Sequence, residues 1–95
     1  MSLSRVDLTD IVSWRELLSY ALKRHNETWE DVVSCTLSDD ELNHAFDRSY
    51  GGPEGKPFTL WTRKRVYYPF EYDGAENVRS VSRIPDGIPT KHNGE

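Results

Sequence analysis

One cysteine, Cys35, is present in the 95 residues, so no intrachain disulfide can form and there is no zinc ribbon or C-x-x-C motif. One methionine is present, and no apolar run approaches the roughly 18 residues that a membrane helix needs. The opening stretch MSLSRVDLTDIVSW has no apolar core of the signal-peptide kind. The expected home is therefore a reducing cytoplasm, and the Asn26-Glu27-Thr28 sequon carries no weight there. Positive charge is not in excess either. The formal net charge is −4, which argues against strong non-specific binding to DNA, since that rests on phosphate neutralisation.

Aromatic residues are plentiful. Three Trp, five Tyr and three Phe offset a low mean hydropathy of −0.74, because each ring can bury roughly 150–250 Å². The charge is also unevenly placed. Residues 1–50 hold ten acids and five bases, whereas residues 51–95 hold six acids and seven bases. An acidic half suits partners that are themselves basic.

Periodicity predicts helices first. SWRELLSYALKRHN has a Ser13/Glu16 capping box, then Trp14, Leu17, Leu18, Ala21 and Leu22 on one face. Lys23, Arg24 and His25 fill the last turn and Asn26 is the stop. TWEDVVSC reads as a short second helix capped by Thr28, with Trp29, Val32 and Val33 inward. LSDDELNHAFDRSYGG reads as a third helix, with a Ser38/Glu41 capping box and a stop at Gly51 and Gly52.

After Pro57 the period changes to two. Strands are predicted at 58–62, 65–73 and 77–85, joined by a turn at Arg63-Lys64 and another at Asp73-Gly74-Ala75-Glu76. Val66, Tyr68, Phe70 and Tyr72 are the expected core face, and Pro69 marks an edge or a break. The expected fold is thus α+β, with two or three N-terminal helices packed on a small C-terminal antiparallel β-meander. Residues 1–85 would form the single domain, with 86–95 as a flexible tail.

Catalytic readings fare poorly. Glu41 and His44 have the E-x-x-H spacing of bundle metal sites, but a cap and a surface histidine explain them equally. Cys35 beside Val32 and Val33 reads as a small core residue, although His25 and His44 are candidate bases. Asp39, Asp40 and Glu41 are the acids expected at a helix start, and consecutive carboxylates point apart. GGPEGKPFT departs from the phosphate-loop pattern, since its lysine is followed by proline. No enzyme, metal or cofactor is expected.

Two surfaces remain. On the hairpin 61–83, Arg63, Lys64, Arg65, Arg79 and Arg83 form a basic set with Trp61 and Tyr67 as aromatic anchors. This set could grip a partner protein or, in the alternative reading, a nucleic acid. Glu30, Asp31, Asp39, Asp40 and Glu41 form an acidic patch fit to dock on a basic protein; the plainer reading is a solvated face.

FTLWTRKRVYYPFEYDGAENVRSVSRIP, with TWEDVVSCTLSDDELNHAFDRSYGGPEGKPF before it, resembles small uncharacterised proteins of bacteriophages and prophages over residues 28–85. The shared features are F-T-x-W-T, R-V-Y, Y-D-G-A-E and S-V-x-R-x-P. In style the chain is similar to phage inhibitors of the anti-CRISPR kind. That likeness implies a non-enzymatic module that inhibits a host defence complex by docking on it. A small nucleic-acid-binding regulator is the alternative.

Overall fold

The computed structural model describes residues 11–47, 55–72, 75–85 and 87–89. Their elements run β1 (Ile11–Ser13), α1 (Trp14–Arg24), a 3-10 turn (Trp29–Asp31), β2 (Val32–Cys35), α2 (Asp39–Asn43), β3 (Ala45–Asp47), β4 (Leu60–Thr62), β5 (Arg65–Tyr72) and β6 (Ala75–Ser82).

The expected layering fails. The N-terminal half supplies three strands of its own, interleaved with its helices. β1 and β3 pair antiparallel as a two-stranded sheet, while β2 joins the C-terminal hairpins in a four-stranded antiparallel sheet of order β2-β4-β5-β6. The second and third expected helices are the cause. Thr28 does cap, together with Asp31, but only a single 3-10 turn follows. Val32 and Val33, which are β-branched and favour strand geometry, then extend the chain into β2. The Ser38/Glu41 capping box forms as well, yet α2 ends at Asn43 and the chain turns extended at His44. The stop expected at Gly51 and Gly52 lies outside the described residues, as do Asp73, Gly74, residue 86 and residues 90–95 of the tail.

α1 follows its sequence closely. The capping box of Ser13 and Glu16 closes, and Trp14, Leu17, Leu18, Ala21 and Leu22 are buried. At its other end Asn26 takes the left-handed conformation (φ 60°). Asn26 N–H then donates to Lys23 O (3.0 Å) and Glu27 N–H to Leu22 O (2.8 Å), the paired bonds of a Schellman stop. This stop turns Glu27 back under the helix, where it is only 7% exposed.

The core is one cluster. Trp14, Leu18 and Leu22 of α1 meet Leu37, Leu42, Phe46, Phe58, Leu60, Tyr67 and Val78. Trp14 is central, with ring centroids 4.8 Å from both Phe46 and Phe58 and its indole N–H donating to Lys56 O at 2.9 Å. Gly55 passes so close that a Cβ there would lie 2.5 Å from the Trp14 ring. The backbone N–H of Gly55 is held by the buried carboxylate of Glu76, at 2.9 and 3.2 Å.

Candidate functional site: the open face of the sheet

Alternation along the strands gives the four-stranded sheet two unlike faces. One face carries Leu60, Thr62, Tyr67, Glu76, Val78 and Ser80, all buried, and α1 lies against it. The other carries Trp61, Val66, Tyr68, Phe70, Arg79 and Val81, all half-buried. The register lines these up in rows. Ser34, Trp61, Val66 and Val81 face one another across all four strands; Tyr68 stands opposite Arg79 and Phe70 opposite Asn77. The Arg79 guanidinium carbon lies over the Phe70 ring, 3.6 Å from its centroid, in a cation–π contact. Both α-helices share the core of the opposite face.

This inverts the expected burial of β5. Tyr67, expected to project toward a partner, is fully buried, and its hydroxyl donates to Glu27 Oε1 at 2.6 Å. Val66, Tyr68 and Phe70, expected in the core, stand on the open face. Tyr67 therefore presents no surface, and Trp61 is joined there by Tyr68 instead.

The five basic residues divide four ways. Arg63 and Lys64 form the bend between β4 and β5 and are exposed. Arg65 turns to the covered side, where Nε donates to Ser80 Oγ (2.8 Å) and Nη2 to Ser80 O (3.4 Å). Arg83 donates to Thr62 O through Nη1 at 2.7 Å, beside the bend. Arg79 alone lies on the open face itself.

The acidic patch is largely engaged in local bonding. Asp31 Oδ2 accepts from Thr28 N–H (2.8 Å), and Asp39 Oδ1 pairs with Arg15 Nη2 (3.0 Å). Glu41 accepts from Ser38 N–H (2.8 Å) and pairs with Lys56 Nζ. Among the described residues only the side chains of Glu30 and Asp40 in this patch form no hydrogen bond or ion pair.

The Lys56 hydrogen bond, then the Ser38 backbone N–H, hold the Glu41 carboxyl down from its ordinary 4.5 to about 2. Partial desolvation opposes them. A carboxyl whose pKa is depressed by folding stabilises the fold above its unfolded pKa. That contribution fades as pH falls from about 4.5 toward 2. Lys56→Met should return the Glu41 titration toward 4.5, read from its side-chain carboxyl shift by NMR; an unmoved titration would show that Lys56 does not set it.

The remaining chemistry does not converge. His44 caps α2 rather than continuing it, so the E-x-x-H spacing is not held on a helix. Among the described residues no group of three or more His, Cys, Asp or Glu side chains stands together to hold a metal ion. Cys35 packs against the core, its sulfur 3.5 Å from Leu37 N, without a bond to His25 or His44.

No family model, curated protein or solved structure matches the chain. The likeness to phage and prophage proteins rests on the quoted strings alone, and the open face has to be judged on its own chemistry. Among the described residues no helix is long and apolar enough to cross a membrane.

A sequence signal for this face did exist. Tyr68 and Phe70 alternate with Tyr67 and Pro69, so β5 offers aromatics on both sides. Alternation alone does not say which side is covered.

Proposed function

We propose that the chain is a non-enzymatic protein-binding module that docks the open face of its four-stranded sheet on another protein. The observation that carries this reading is the row Trp61, Val66 and Val81 with Tyr68 and Arg79 beside it, on a face that neither helix covers. An antiparallel sheet tolerates one wet face, but that face is then normally polar. Tryptophan, tyrosine and arginine are the side chains most enriched among binding hot spots. Arg63, Lys64 and Arg83 at one end of the face suit a partner with acidic residues around an apolar patch. On the resemblance to phage proteins, that partner belongs to a host defence complex in the bacterial cytoplasm.

The test begins with affinity capture and identification of the retained protein, followed by titration of purified variants. Trp61→Ala and Tyr68→Ala should each weaken the complex by about 2 kcal/mol, or roughly thirtyfold, while the far-UV circular dichroism stays unchanged. Joint replacement of Asp39, Asp40 and Glu41 by their amides should leave affinity within about threefold, in keeping with the small worth of exposed charges. The reverse pattern would move the docking surface to the acidic helix. Salt-sensitive binding of single-stranded nucleic acid, lost in Trp61→Ala, would put the nucleic-acid reading in its place.

A further inference from the structure

On the covered side of the sheet, a cleft of about 300 Å³ opens between the end of α1 and the bend after β4. It is lined by His25, Glu27, Lys64, Arg65, Ser82 and Ile84. Its charges are arranged unusually. Glu27 is only 7% exposed and takes a single hydrogen bond, from the Tyr67 hydroxyl at 2.6 Å. A carboxylate so far from water ordinarily has a cation against it. Lys64 and Arg65 line the same cleft, yet neither forms an ion pair with Glu27. Among the described residues Lys64 bonds nothing through its side chain. Arg65 is fixed by its two bonds to Ser80, and Ser80 Oγ in turn lies 3.3 Å from His25 Nε2. Nη1 of Arg65 is left unbonded. Among the described residues the cleft thus holds one buried acidic side chain and two basic ones apart from it, with Ile84 as an apolar wall.

We propose that this cleft binds a small zwitterion of the α-amino-acid class. The ligand ammonium would complete the shell of Glu27, which the Tyr67 hydroxyl only half fills. The ligand carboxylate would lie between Lys64 and the free edge of Arg65, where charge-assisted bonds are strongest. A simple anion would meet the Glu27 charge, and a simple cation would meet Lys64 and Arg65. Only a ligand carrying both charges satisfies both ends. The docking face lies on the other side of the sheet, and the cleft shares with it only Lys64 at the bend.

The experiment is an amide NMR titration of the ¹⁵N-labelled full chain with millimolar glycine, L-leucine and L-phenylalanine. Two analogues of leucine serve as controls: 4-methylpentanoate, which lacks the ammonium, and 3-methylbutylamine, which lacks the carboxylate. At least one amino acid should shift the amides of His25, Glu27, Lys64, Arg65 and Ser82 in a saturable way. Neither analogue should do so at the same concentration. Glu27→Gln, which can still accept from Tyr67, and the exposed Lys64→Ala should each weaken binding by about tenfold or more. Absence of saturable shifts with all three amino acids would overturn the proposal. So would equal binding by either analogue, or undiminished affinity in both folded variants.

Discussion

Trp14→Ala should destabilise the fold by about 3–5 kcal/mol, a large share of the 5–15 kcal/mol that holds a domain of this size together. The ring is 1% exposed, sits between Phe46 and Phe58, and donates its N–H to Lys56 O. Truncation opens a cavity where α1, β3 and the segment before β4 converge, and it leaves a backbone carbonyl without its donor. Urea denaturation should show the midpoint falling steeply with an unchanged slope. Trp29→Ala is the internal contrast. That ring is half-buried, donates to Ser19 Oγ (2.9 Å) and lies under the Arg15 guanidinium at 4.5 Å. Its loss should cost about 1 kcal/mol, the scale of an exposed cation–π contact with a weak hydrogen bond. Similar midpoints for the two variants would mean that Trp14 is not the keystone of the core.

Tyr67→Phe should cost about 1.5–3 kcal/mol, far more than removal of one oxygen atom suggests. Among the described residues the Tyr67 hydroxyl is the one group bonded to the buried Glu27 side chain, and its loss leaves a buried carboxyl without a donor. The sharper result is the double variant. Glu27→Leu combined with Tyr67→Phe removes donor and acceptor together and should recover most of the loss, since an apolar pair of similar shape replaces a buried polar one at little cost. A double variant as unstable as the sum of its parts would show that Glu27 and Tyr67 act separately.

The local signals in the sequence proved more reliable than the choice between helix and strand that followed them. Both capping boxes expected from the sequence close, at Ser13 and Ser38, and Thr28 caps as expected, in a further box with Asp31. A cap, however, specifies a helical start and says nothing about length. After Thr28 the decision falls to Val32 and Val33, whose strand preference is realised because β4 arrives from distant sequence to pair Thr62 with Val32, while Val33 lies at a break in the register and is exposed.

The C-terminal strands were legible by alternation, and the turn at Arg63-Lys64 lies where it was expected. Ala75 and Glu76, expected in the second turn, belong to β6. Which face is covered was not legible. Val66, Tyr68 and Phe70 are the more apolar set, so hydropathy alone points them inward. The covered set contains Arg65, Tyr67, Glu76 and Ser80, and it is covered because polar groups brought from elsewhere satisfy it. Glu27 meets Tyr67, Gly55 N–H meets Glu76, and His25 stands beside Ser80. None of these pairings is local, and no reading of β5 or β6 alone contains them.

The row Ser34, Trp61, Val66 and Val81 takes one residue from each of four strands. Only the β4–β5 and β5–β6 hairpins, with their partners near in sequence, can form early; closing β2 onto β4 and laying α1 on the sheet require long loops to be fixed first. The complete row therefore exists in no partly folded form of the chain. A partner that grips it binds the native state and ignores the unfolded one, so its free energy of binding adds to the stability of the fold. Protection from proteolysis and from heat would then rise with partner concentration, and the protein would be at its most durable while it is engaged.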